Sequence, residues 1–437
     1  MSTKKKKTAA RFNMLTSEGS LLSQMSEVMN SMHARRKTKG YDFSVHNPDA
    51  FAKESLALQA LPLQNALKFP GLPKQAMVEL IGPERVGKST FLLWILGQLM
   101  LQNCIPLYIE TEGKPLLPER IKRCLHHNPK IADRLYDNLA MHRAHSIAEA
   151  TDLLLTWIQS VRSEKFIEET GITKDVPLCI GFDTWSKLMS REEASAFGQY
   201  EVSKTKDASM DITKGPELGA GTNFSFSKDC HRLARMLSSI FKTHNVIVLI
   251  ASHQNDKIDM SGGGYGSLML SEEVSALYNK TKPGGKAFNQ TAAMQLIMTR
   301  AGQVKNSTTK TVIGHKVKAR VDKNTYGPDN STFEFMVKNH MDDAPGYLDM
   351  SINFDQSTAR LFADNVILGT KVNNNRYTCE DLGVESVTDT EFTKALYANT
   401  DVWNRVCGHL RIHGYNIERF YHEAPESVGE DNPEQPG

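Results

Sequence analysis

The chain has no apolar run long enough to cross a membrane. Its longest greasy stretch, Phe91 to Leu101, is broken by Gly97 and Gln98, whereas about 20 apolar residues are needed to span a bilayer as a helix. The opening MSTKKKK lacks the apolar segment a secretory leader needs, so none is expected. No C-x-x-C pair occurs: Cys104, Cys124, Cys179, Cys230, Cys379 and Cys407 are scattered. That excludes a zinc module or a disulfide framework and fits a reducing, cytoplasmic compartment. No long internal repeat is visible, which argues against a solenoid. Nor is there an excess of either charge, the formal net value being +2.

That balance hides an uneven distribution. Lys4 to Lys7, Arg11, Arg35, Arg36, Lys37 and Lys39 make a basic front, while residues 423–437 hold five acids and no Lys or Arg. A basic arm and an acidic tail suit a polyanionic partner and something that moderates access to it. Between residues 20 and 36, Leu21, Leu22, Met25, Val28, Met29 and Met32 recur at helical spacing. The pattern predicts an amphipathic helix whose sticky face docks on its own core or on a neighbouring subunit.

From residue 60 the chain alternates apolar runs with helical stretches. MVELI (77–81), IPLYIE (105–110), LCIGFD (178–183) and VIVLIAS (246–252) are apolar nearly throughout. Such runs joined through helices predict an α/β fold with a mostly parallel sheet buried on both faces. Beyond residue 290, AAMQLIMTR, HKVKARVD and STFEFMV read as antiparallel strands added at its edge. The expected division is a basic N-terminal arm with an amphipathic docking helix (1–57), an α/β core (58–345), a small α+β or helical C-terminal domain (346–422) and an acidic tail (423–437).

The chemistry begins at GPERVGKST. Gly82, Pro83, Glu84, Arg85, Val86, Gly87, Lys88 and Ser89 spell G-x-x-x-x-G-K-[ST], with Thr90 next. Backbone N–H groups of such a loop converge on phosphate oxygens, and the following helix adds partial positive charge. Lys88 would neutralise the β- and γ-phosphates and the Ser89 hydroxyl would join a magnesium shell. Asp183 ends a buried run, where a second magnesium contact belongs. Hydrolysis needs a base, and Glu110 and Glu112 both follow the next strand. Their two-residue spacing puts them on one side of the chain, so spacing does not choose.

Together these segments resemble the RecA family of recombinases, including phage-encoded relatives of the UvsX type. LPLQNALKFPGLPKQAMVELIGPERVGKST (61–90), LYIETEG, CIGFDT, VIVLIASHQ, PGGKAF (283–288) and HKVKARVDKNTYGP (315–328) carry the resemblance, over roughly residues 58–340. It implies a RecA-like P-loop ATPase core using ATP and Mg2+. The family's catalytic glutamate falls on Glu112 and its γ-phosphate sensor on Gln254 or the adjacent His253. Lys323 falls where a lysine acts on the neighbouring subunit's ATP, while Thr325 stands where a second lysine is common. The family's adenine-stacking aromatic has no match, and Arg120 lies near that position. Two long loops, residues 190–228 and 255–286, correspond to the DNA-binding loops. In the second, Lys257, Lys280, Lys282 and Lys286 can meet phosphates, Tyr265 or Tyr278 can stack on bases, and Gly284 and Gly285 close the segment.

The implied function is a DNA-dependent ATPase. It would assemble into a helical filament on single-stranded DNA and exchange strands with double-stranded DNA, with a single-strand-binding protein and a loader as possible partners. A ring-shaped helicase on the same core, and a relative that no longer turns over ATP, are the alternatives.

Overall fold

The computed structural model describes residues 55–69, 71–113, 117–196, 222–253, 255–256, 280–281, 285–306, 309–341, 348–364, 367–399 and 401–402. The expected N-terminal helix, the acidic tail, Gln254, Lys257, Tyr265, Tyr278, Lys282 and Gly284 lie outside these residues.

Among the described residues, nine strands form one sheet. In chain order they are β3 (Ala76–Gly82), β4 (Ile105–Glu110), β5 (Ala140–Arg143), β6 (Leu178–Asp183), β7 (Val246–His253), β10 (Ala292–Lys305), β11 (Val312–Asn324), β12 (Thr332–Met341) and β13 (Leu348–Asn353). Their spatial order is β13-β12-β11-β10-β3-β7-β6-β4-β5. The pairs from β10 through β3, β7, β6 and β4 to β5 are parallel, and β10 to β13 pair antiparallel. The short β1 (Ser55–Ala57) and β2 (Gly71–Pro73) pair beside it, as do β8 (Asn255–Asp256) and β9 (Lys280–Thr281). β13 continues the main sheet past residue 345.

Strands β3, β6 and β7 are buried along their whole length, the reason they read as unbroken apolar runs. One face packs on α1 (Leu61–Leu67), α2 (Lys88–Met100) and α3 (Pro118–Leu125) through Val78, Leu80, Phe91, Leu92 and Tyr108. The helix α4 (Pro129–Asp137) follows α3. The other face packs on α5 (Ile147–Val161), α7 (Thr222–Thr243) and α8 (Gly285–Thr291) through Met77, Ile109, Leu154, Leu237 and Phe288, with α6 (Glu164–Thr170) peripheral. Successive strand residues therefore feed opposite layers.

The greasy stretch at 91–101 is α2, sandwiched between the sheet and α3. Among the described residues, no helix is long and apolar enough to cross a membrane. A Cβ on Gly97 would collide with the Leu125 carbonyl oxygen, so this glycine sets how closely α3 can approach. Gly97→Ala should destabilise the protein by about 2 kcal/mol or more, the scale of core overpacking, read as a lower midpoint in urea unfolding.

After β13, α9 (Asp355–Asp364), the antiparallel strands β14 (Lys371–Asn373), β15 (Arg376–Cys379) and β16 (Val384–Val387), and α10 (Asp389–Ala398) gather around their own apolar cluster. Phe362, Tyr377 and Phe392 form it, together with Leu61 from α1. The start of α10 is fixed by a capping box between Thr388 and Glu391.

Candidate nucleotide-binding site

Three parallel strands end side by side, β3 in the glycine-flanked loop, β6 in Asp183 and β7 in His253, with β4 ending beyond β6 at Glu110. Loop residues Pro83, Glu84 and Arg85 are exposed, whereas Val86 is buried. Arg85 and Gly87 take left-handed backbone, with φ of 60° and 107°. Only glycine adopts the latter without strain, and here it caps α2. A Cβ on Gly87 would press within 2.9 Å of Val337 Cγ2. The neighbouring Val86 carbonyl lies 3.0 Å from His315 Nε2. A carbonyl only accepts, so Nε2–H donates to it; burial holds this imidazole below its ordinary pKa and favours the neutral form. The loop is thus propped from below by β11 and β12, a support for which the basic strand HKVKARVD gave no signal.

Lys88 is buried, and its Nζ donates to the carbonyls of Gly82 at 2.9 Å and Pro83 at 2.7 Å. It also lies 3.2 Å from His253 Nδ1. An ammonium only donates, so Nδ1 accepts and the imidazole proton sits on Nε2. That nitrogen is 3.2 Å from Glu112 Oε1. Burial, then the Lys88 charge, lowers the His253 pKa against the opposing pull of Glu112. A neutral imidazole therefore joins the phosphate-loop lysine to a carboxylate.

The structure separates the two glutamates. Glu110 ends β4; its Oε1 accepts from the Glu112 N–H at 2.7 Å, and its Oε2 lies 3.4 Å from Arg143 Nε. Glu112, just past the strand, accepts from Thr184 Oγ1 at 2.9 Å and faces His253. Its side chain is 12% exposed against 4% for Glu110, so Glu112 is the one that keeps access to solvent, and it is linked to Lys88 through His253.

Asp183 accepts from two hydroxyls, Ser89 Oγ on Oδ1 at 2.8 Å and Tyr108 on Oδ2 at 2.6 Å. Burial raises its pKa, and the hydrogen bonds from these two donors are the main opposing influence. Tyr108 escaped the sequence reading, although its place two residues before Glu110 put it on the same strand face. Among the described residues, no cluster of three or more His, Cys, Asp or Glu side chains could hold a metal alone. Ser89 and Asp183 nevertheless offer adjacent hard oxygens, a donor set that fits magnesium when phosphate oxygens and waters complete the shell.

Other expected residues stand apart. Thr90 is buried in α2 and hydrogen-bonds Cys124, whose thiol burial pushes up to about 12. Arg120 is exposed in the first turn of α3. Lys323 Nζ donates to the Asn289 carbonyl at 2.6 Å, which ties the end of β11 to α8. Lys280 opens β9, and Gly285 and Lys286 open α8. Thr222 begins α7, so the first long loop ends earlier than residue 228.

These features define a mixed α/β protein with a mostly parallel sheet and a phosphate-loop motif between β3 and α2. No protein-family model matches the chain. It is similar to the curated Protein RecA of Lactiplantibacillus pentosus, 22% identical over 269 residues, 62% of this chain and 56% of that protein. Protein RecA of Chloroherpeton thalassium is 22% identical over 279 residues (64% and 61%), and that of Limosilactobacillus reuteri 23% identical over 276 residues (63% and 59%). The chain thus spans less than two thirds of the length of these relatives. The similarity supports a distant relationship to the RecA proteins.

Proposed function

We propose that this protein is a DNA-dependent ATPase of the recombinase type, which assembles on single-stranded DNA and exchanges strands with a homologous duplex. One observation carries the reading: Lys88, the Ser89–Asp183 pair and Glu112 meet at the strand ends beside the phosphate loop, in a chain distantly similar to RecA proteins. The loop N–H groups and Lys88 hold the phosphates. Ser89 and Asp183 would hold a magnesium ion, which would supply charge neutralisation to the triphosphate. Glu112 orients a water and takes its proton as the water oxygen bonds to the γ-phosphorus and the bond to the ADP oxygen breaks. His253, with Gln254 beside it, senses the γ-phosphate, and Lys323 acts on the neighbouring protomer's nucleotide. Arg120 stacks on the base.

In this reading the N-terminal arm (1–57) joins protomers into a helical filament. The core (58–345) contacts DNA through its two loops, with Lys257, Tyr265, Tyr278, Lys280, Lys282, Gly284, Gly285 and Lys286 in the second. The C-terminal domain (346–422) and acidic tail (423–437) gate duplex entry. Bound ATP holds the assembly together and hydrolysis releases it. The protein works in the cytoplasm, with a single-strand-binding protein and a loader as partners.

Purified protein given ATP and single-stranded DNA should show stimulated phosphate release and extended filaments in negative-stain images. Rings or monomers alone would remove the filament from the proposal. Unwinding of a forked duplex without any pairing activity would instead favour a helicase.

A further inference from the structure

The Tyr108 ring has an ordinary packing role: it is 1% exposed, in the layer between the sheet and α2. A phenylalanine would fill that space equally well, so packing leaves the hydroxyl unexplained. That hydroxyl donates to Asp183 Oδ2 at 2.6 Å, while Ser89 Oγ occupies Oδ1 at 2.8 Å. The two donors hold opposite oxygens of one buried carboxylate. Ser89 Oγ directly follows the phosphate loop, so Oδ1 is the oxygen turned toward that loop. Oδ2 is turned into the core, where the phenol cannot leave it without burying an unpaired hydroxyl.

Cation chemistry gives this arrangement a consequence. Calcium takes about six to eight oxygens at flexible geometry and often accepts both oxygens of a carboxylate. Magnesium demands a compact octahedron, keeps several waters and uses carboxylates one oxygen at a time. We propose that Tyr108 is a specificity-determining residue of the cation site: by holding Oδ2 it confines Asp183 to one-oxygen coordination and selects magnesium over calcium. The inference rests on the nucleotide-site reading given above, and it adds a residue that touches neither phosphate nor water. Tyr108 acts through Asp183 and is a positioning residue.

The test uses the full-length protein and a fluorescent, non-hydrolysable triphosphate analogue titrated at increasing magnesium or calcium. In the unmodified protein, half-maximal cation-dependent binding should need about tenfold more calcium than magnesium. In Tyr108→Phe that ratio should fall about fivefold, with binding in EDTA unchanged. Tyr108→Leu, which also lacks the hydroxyl, should shift the ratio the same way. A variant that was merely loosened would weaken both cations together, and an unchanged ratio in a folded variant overturns the inference. Should neither variant fold, equal support by the two cations in the unmodified protein overturns it as well. Failure of the underlying reading looks different: nucleotide binding that no cation improves, or that Lys88→Ala leaves intact, removes the site itself.

Discussion

Lys88→Ala should abolish DNA-stimulated ATP hydrolysis, with turnover falling by about a thousandfold or more and nucleotide affinity falling with it. The ammonium supplies a fixed positive charge where phosphate charge develops, in a buried setting that magnifies it. Loss of a single preorganised donor at such a position costs about a hundred- to a thousandfold, and Lys88 contributes to ground-state binding as well. The same charge lowers the Asp183 pKa against the effect of burial, so its removal should also weaken the proposed cation site. Steady-state phosphate release and equilibrium binding of a labelled nucleotide check both parts. The fold should survive, because α2 is anchored by Phe91, Leu92 and Leu96 rather than by the lysine. Unchanged turnover in a folded variant would show that the nucleotide site lies elsewhere.

Glu112→Gln should bind ATP yet turn it over about a hundred- to ten-thousandfold more slowly, the usual contribution of a positioned general base. The amide keeps the size of the side chain and can still accept from Thr184 Oγ1, but it cannot take a proton from water. If hydrolysis releases the assembly, as proposed, filaments formed by this variant should outlast those of the parent. Glu110→Gln should behave differently. That carboxylate is committed to the Glu112 N–H and to Arg143, so its loss loosens the turn presenting Glu112 and should cost about tenfold or less. Single-turnover measurements on the two variants separate chemistry from binding. An equal loss in Glu110→Gln would transfer the role to Glu110.

Much of this architecture was legible in the chain. Buried parallel strands carry no polar alternation, so β3, β4, β6 and β7 announced themselves as apolar runs, and AAMQLIMTR and HKVKARVD fell within the long antiparallel pair β10 and β11. The short β5 and the small strands β14 to β16 passed unread. They are only three or four residues long, too short to carry a sustained period, and tertiary contacts stabilise them. CHRLARMLSSIF (230–241) has helical spacing of its apolar residues but is only the core of a longer helix, Thr222–Thr243, because the first turns lie in a polar segment that reads as loop.

By itself the sequence determined the phosphate loop, because a backbone folded that tightly demands glycine at set positions and a lysine–hydroxyl pair directly after them. It also determined that an acid would end a buried strand nearby. Tertiary structure alone decided which glutamate joins Lys88 through His253, which nitrogen of His253 carries the proton, and that Tyr108 holds Asp183. Those contacts join residues 72 (Thr184 to Glu112), 75 (Tyr108 to Asp183) and 141 (His253 to Glu112) positions apart. Neighbouring strand ends in a parallel sheet are brought together only by whole crossover connections, so no local pattern encodes their pairing.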